Sequence, residues 1–173
     1  MILTRTPYRV SLFGGGTDYK AYYERYGTLV IGFTIDKYVY VSLRKNLNIF
    51  DYKSRVTYSI IENVKENDDI QNHGVSGTLR HFELKDGLTI AIQGDLPART
   101  GIGSSSSLVV GLIRAIDEYN KSPERNRTDL SNTAIHIERE LLKEPGGIQD
   151  QIWAAYGGVN SIQIYTDGQF AVR

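Results

Sequence analysis

Residues 97–107, Pro-Ala-Arg-Thr-Gly-Ile-Gly-Ser-Ser-Ser-Ser, constrain this chain more than any other stretch, because they set glycines and hydroxyls between a strand pattern and a helix pattern. Upstream, Leu-Thr-Ile-Ala-Ile-Gln at 88–93 alternates apolar with polar or small residues and predicts a strand. Downstream, Leu108, Val109, Leu112, Ile113 and Ile116 recur at helical spacing and predict a helix over 105–119 that begins with the serines. The first N–H groups of a helix lack intrahelical acceptors and its start carries partial positive charge. Glycines allow close backbone approach, and hydroxyls add donors or a magnesium ligand, so the pattern suits an anion such as a nucleotide polyphosphate. The competing reading is a tight turn closed by a serine N-cap. One cap needs only one serine, however, and four in succession are poor helix formers. No Gly-Lys-Ser/Thr follows the glycines, so this is not a P-loop. The three-glycine spacing of a dinucleotide turn and the Gly-x-Ser-x-Gly of a nucleophile elbow are also missing.

At 173 residues the chain suits one domain with a substantial core. Lysine plus arginine and aspartate plus glutamate number 20 each, so no global charge draws it to nucleic acid or to an anionic membrane, and any anion site must be local. The absence of cysteine excludes disulfides and thiolate metal sites. No apolar run reaches membrane-spanning length, and the expectation is a soluble, cytoplasmic protein with no nucleic-acid or membrane partner. The 12 tyrosines suit half-buried surfaces, sugar-lined clefts and interfaces alike.

Further strands are predicted over 2–13, interrupted early by Pro7, over 28–33 and 37–44, as a pair within 50–61, and as a final hairpin at 160–165 and 169–172. Short helices are expected over 19–26, ending at Gly27, and over 148–156. A longer one is expected over 129–142, with Thr128 or Asp129 as N-cap. The charged stretch 62–69 reads as a solvated loop or hairpin end, and 74–83 fits either a helix or a loop. Strands first and helices later argue for an α+β layer fold.

Three other segments combine polarity with chemistry. Arg9 lies in a predicted strand beside Val10 and Leu12, where a buried guanidinium requires a carboxylate or phosphate partner and an exposed sheet face is the alternative. Asp150 follows Gly-Gly-Ile-Gln at a helix start, which makes it either a fixed carboxylate able to act as general base or an acidic residue that merely stabilises the helix. Glu138, next to Arg139 and Glu140, reads on its own as part of a solvated face.

Taken together, these segments resemble the GHMP kinases, the superfamily of galactokinase, homoserine, mevalonate and phosphomevalonate kinases. Residues 97–107 resemble its second motif. Arg9 to Asp18, Arg-Val-Ser-Leu-Phe-Gly-Gly-Gly-Thr-Asp, resemble its first motif in the form most similar to kinases of heptose phosphates. Residues 147–151, Gly-Ile-Gln-Asp-Gln, are similar to the segment carrying its catalytic aspartate. The likeness runs from about residue 6 to 158, with Ser106 and Ser107 in place of the usual alanines and Ile102 in place of leucine.

The resemblance implies a ribosomal protein S5 domain 2-like fold, with a mixed, mostly antiparallel sheet and helices packed on it. It also implies a kinase using ATP and Mg2+. Pro97, Gly101, Ile102, Gly103, Ser104, Ser105, Ser106 and Ser107 would wrap the nucleotide phosphates, and Ser105 and Glu138 would hold magnesium. Asp150 and Arg9 would be catalytic; Gly15, Gly16, Thr17, Asp18 and His73 would bind the sugar phosphate, although a lone histidine in a polar segment such as His73 is more often simply exposed. The implied reaction is phosphorylation of the C1 hydroxyl of a heptose 7-phosphate for surface-polysaccharide precursors. Another sugar as acceptor, a non-catalytic nucleotide- or sugar-binding module, and an interaction domain are the rivals. Kinases of this family are about twice as long, so the chain is expected to be a single N-terminal domain lacking the C-terminal one, with self-association through the surface this leaves.

Overall fold

The computed structural model describes residues 1–47, 49–97 and 100–173. Its centre is β2 (Thr28–Lys45), one strand of 18 residues where the sequence predicts two. Residues 34–36 lie between the two predicted strands, yet β1 (Ile2–Phe13) pairs with β2 on both sides of the polar pair Asp36-Lys37. The register jumps from Pro7↔Tyr38 to Arg9↔Thr34, so a bulge absorbs the polar pair on the exposed face. Bulges of this kind re-aim the side chains that follow them. Here the chain passes from Tyr8, buried in the core, to Arg9, which lines a cavity.

The other edge of β2 is shared. Its Val39–Lys45 half pairs with β5 (Leu88–Gly94), and its Thr28–Phe33 half with β6 (Val159–Ile164). Outward from these lie β3 (Ser54–Thr57), β4 (Ile61–Val64) and β7 (Phe170–Val172), in the order β4-β3-β5-β2-β6-β7 with β1 on β2. Only β3 and β5 run parallel among the described strands, as expected for an α+β layer.

Five helices complete the fold: α1 (Lys20–Tyr26), α2 (His73–His81), α3 (Ser104–Tyr119), α4 (Arg127–Ile135) and α5 (Gln149–Tyr156). Helix α3 presents Leu112, Ala115 and Ile116 to the core residues Val41, Leu43 and Ile90 of the sheet, all fully buried. Its opposite flank joins Val109, Val110 and Ile113 to Leu130, Ala134 and Ile137. A third cluster puts Ile152 and Trp153 of α5 on Val30, Ile162 and Ile164. Each of the valines, leucines and isoleucines among these contributes about 1.5–3 kcal/mol by leaving water, so α3 and α5, which carry Ser105 and Asp150, are fixed on the sheet. No described helix is long and apolar enough to cross a membrane.

Three local expectations change. The pair predicted within 50–61 shifts to β3 and β4, and Glu62, expected in a solvated loop, is buried and accepts hydrogen bonds from the N–H groups of Gln71 (2.6 Å) and Asn72 (3.3 Å). The ambiguous segment 74–83 is α2, capped by Asn72, whose side chain accepts from Val75 N at 3.1 Å. The helix expected over 129–142 is capped one turn earlier by Asn126 and becomes a π-helical turn at His136–Leu141. Such turns frequently occur at functional sites, and this one buries both Ile137 and Glu138.

Candidate active site

Helix α3 starts without a side-chain cap. Gly103 occupies the N-cap position at φ 78°, and Gly101 is also left-handed at φ 74°. The serine-cap alternative therefore fails. Ser107 Oγ donates to Pro7 O (2.8 Å), Ser105 Oγ to Glu138 Oε1 (3.0 Å) and Ser106 Oγ to Glu138 Oε2 (2.8 Å). A Cβ on Gly103 would lie 3.2 Å from Arg9 Cγ and 3.5 Å from Asp150 Oδ2, so both backbone angle and space favour glycine there. The loop is tied to β1 by Arg9 N donating to Ile102 O at 3.1 Å. Ala98 and Arg99, within the predicted loop, lie outside the described residues.

Arg9 does have the carboxylate partner that its position demands. Nε and Nη2 each donate to Asp150 at 2.8 Å, and Nη1 donates to Gly101 O at 2.6 Å. Asp150 sits in the first turn of α5, as its sequence context predicts. One residue earlier, Gln149 N donates to Asp18 Oδ2 at 2.9 Å, so a carboxylate from β1's following turn covers the start of α5. Gln149 is held in turn by Ser11 Oγ, which donates to its Oε1, and by Gly15 O, to which its amide donates, both at 2.8 Å. Asp18 is 1% exposed, and its Oδ1 has no partner among the described residues. Burial raises its pKa above the usual aspartate value; the Gln149 N–H opposes that shift and nearby Asp150 adds to it. A buried acceptor left unpaired is costly.

Glu138 is 1% exposed, which overturns the solvated-face reading. Burial raises its pKa, and the hydroxyl of Ser106, the charge of Arg139, the amide of Gln151 and the hydroxyl of Ser105 oppose that rise. The oxygen set of Ser105 and Glu138 fits magnesium, which favours one or two carboxylates plus substrate phosphates over an all-protein cage. No group of three or more His, Cys, Asp or Glu side chains placed to hold a metal ion occurs among the described residues.

Two cavities meet here. The first, ≈ 600 Å³, is lined by Gly15, Gly16, Asp18, Ile102, Ser106 and Glu138; the second, ≈ 1290 Å³, by Tyr8, Tyr58, Asn72, His73, Gly103 and Ser104. Arg9, Gly101, Ser105, Glu144 and Asp150 line both. His73 thus stands on the α3 side, away from the Gly15–Asp18 turn with which the sequence reading grouped it. Thr17 turns its hydroxyl to Gly14 O (2.7 Å) and Thr28, and Pro97 and Ser107 line neither cavity. Sequence reading missed Gln149 and Gln151, although they flank Asp150; it also missed Arg139 and Glu144, for which it offered no distinguishing signal.

A glycine loop at a helix start, a carboxylate on the wall of two cavities and a buried carboxylate beside two serines are features that phosphoryl transfer could use. The profile of the GHMP kinases N terminal domain matches residues 71–158, just over half of the chain. The chain belongs to the GHMP kinase family and carries its N-terminal domain fold. It is 35% identical to the D-glycero-alpha-D-manno-heptose 7-phosphate kinase of Campylobacter jejuni, across 99% of this chain and 53% of that protein. It is 30% identical to a galactokinase of Pyrococcus furiosus, across 97% and 47%. A crystal structure described as a D-glycero-D-manno-heptose 1-phosphate kinase from Bacteriodes thetaiotaomicron superposes with a TM-score of 0.88 at 27% identity, covering 100% of this chain and 59% of that one. The chain spans about half the length of the curated relatives it matches.

Proposed function

We propose that this chain is the N-terminal lobe of an ATP-dependent sugar kinase that phosphorylates the C1 hydroxyl of D-glycero-D-manno-heptose 7-phosphate, in the supply of cytoplasmic precursors for surface polysaccharides. The observation that carries the reading is the position of Asp150, on the wall of both cavities and clamped by Arg9 beside the glycine loop. ATP binds along the second cavity, with its phosphates at the α3 start. The sugar occupies the first, its hydroxyls on Asp18. Asp150 accepts the proton of the C1 hydroxyl as that oxygen bonds to the γ-phosphorus and the β,γ-bridging P–O bond breaks, releasing ADP. Arg9 holds the carboxylate in line and offsets charge at the loop. Ser105 and Glu138 would hold magnesium, which when bound would supply charge neutralisation at the phosphates.

The test is phosphorus NMR of the chain with ATP, magnesium and either D-glycero-D-manno-heptose 7-phosphate or galactose, the latter because of the galactokinase relative. The expected result is a new anomeric phosphate on the heptose, formed only with magnesium, and none on galactose. Transfer to galactose with the heptose phosphate untouched contradicts the proposal.

A further inference from the structure

We infer that Arg139 anchors the phosphate group that the sugar substrate already carries, and so selects phosphorylated over neutral sugars. This rests on the sugar-kinase reading above and extends it to a residue that neither motif nor chemistry had singled out. Two guanidinium groups line the first cavity. Arg9 is committed to Asp150 and Gly101 O. Arg139 is held differently: Nε donates to Gly147 O and Nη1 to Glu144 O, both at 2.9 Å, and it forms no ion pair with a carboxylate among the described residues. Carbonyl partners fix the plane of the group without neutralising its charge, and its Nη2 makes no hydrogen bond among the described residues. Gly146 lies against the guanidinium, where a Cβ would come within 2.9 Å of Nη2, 3.0 Å of Cζ and 3.1 Å of Nη1.

The rest of the cavity sharpens the assignment. Its other ionisable walls include Asp18, Glu138, Glu144 and Asp150, and with Arg9 bound to Asp150, Arg139 is the guanidinium on this wall left to attract a substrate phosphate. A planar guanidinium is also the side chain best matched to phosphate oxygens. The carbonyls that hold Arg139 belong to the turn leading into α5, whose first turn carries Asp150. One short segment therefore sets the spacing between the anion anchor and the base. A sugar with its phosphate on Arg139 presents its far end, rather than a random hydroxyl, to Asp150.

The test is calorimetric titration of the wild-type chain and of Arg139→Gln with two probes, D-glycero-D-manno-heptose 7-phosphate and D-glycero-D-manno-heptose. Wild type is expected to prefer the phosphorylated sugar. Arg139→Gln should weaken that sugar by roughly 10- to 100-fold, the range of a hydrogen bond to a charged group, and leave the neutral sugar's affinity unchanged. If the Gln variant does not fold, Arg139→Lys carries the comparison, with a smaller loss again confined to the phosphorylated probe. Equal weakening of both probes would show that Arg139 only positions the turn and overturns the inference, as does an unchanged affinity for the phosphorylated probe. Wild type binding both sugars alike removes the inference and leaves the sugar site standing; wild type binding neither removes both.

Discussion

Asp150→Asn is expected to lower phosphoryl transfer by roughly 10²–10⁴-fold, the range for loss of a positioned general base, while affinity for Mg-ATP changes little. The substitution keeps the volume and the place at the start of α5 but removes the proton acceptor. It also turns an amide towards Arg9, whose two bonds to the carboxylate are both 2.8 Å, so one of them is lost. Arg9 still has Gly101 O at 2.6 Å and its own N–H on Ile102 O to keep it at the loop. Single-turnover kinetics and nucleotide titration on the same preparation separate the two effects. Transfer within tenfold of wild type would remove Asp150 from the chemistry.

Gly147→Ala has the largest expected effect on stability. A Cβ at this position would lie 1.8 Å from Asp18 Oδ2 and 2.0 Å from Asp18 Cγ, so the buried carboxylate must move or α5 must back away. The conflict is steric alone, since Gly147 does not lie at a positive φ. Displacing Asp18 also breaks its bond from Gln149 N at 2.9 Å. Overpacking together with a lost charged hydrogen bond costs about 3 kcal/mol, a fall in melting temperature of roughly 6–12 °C for a chain of this size. Sugar affinity should fall as well, while Mg-ATP binding is retained, because Asp18 lines only the first cavity. Adding Asp18→Ala to Gly147→Ala removes the obstructing carboxylate and should recover part of the melting temperature. A melting temperature within 2 °C of wild type in the single variant, read by scanning calorimetry, would show that the close approach of Gly147 to Asp18 is not a real constraint.

Much of the fold was legible because its signals are local. Period-two alternation in 88–93 and helical spacing from Leu108 to Ile116 each describe one face of one element, and β5 and α3 formed nearly where they were read. Gly27 and the Gly157–Gly158 pair ended α1 and α5 as expected, through positive φ at each. The continuity of β2 was not legible, because whether Asp36-Lys37 breaks a strand depends on the bulge that β1 offers it. Glu62 and Glu138 were misread for a related reason. Charged residues in charged surroundings default to solvent, and only tertiary neighbours reveal a carboxylate buried against two backbone N–H groups or against two serines and a glutamine. At the site, Arg9, Asp18 and Asp150 were legible through motifs that keep their order along the chain. Gln149, the link between Asp18 and the Gly15 turn, gave no such signal, since its bonds span more than 130 residues. His73 lines the second cavity and Asp18 the first, a separation that nothing in the sequence around His73 shows.

The most direct test of the central claim, a magnesium-nucleotide site at the start of α3, is the melting temperature of the wild-type chain and of Glu138→Gln with and without ATP, in the presence and absence of magnesium. A ligand that binds only the folded state must raise it by mass action. The expected result is a rise for wild type that requires magnesium and is largely lost in Glu138→Gln, even though that variant, relieved of a buried charge, melts no lower than wild type without ligand. An unchanged wild-type melting temperature at saturating Mg-ATP, or a rise independent of both magnesium and Glu138, would contradict it.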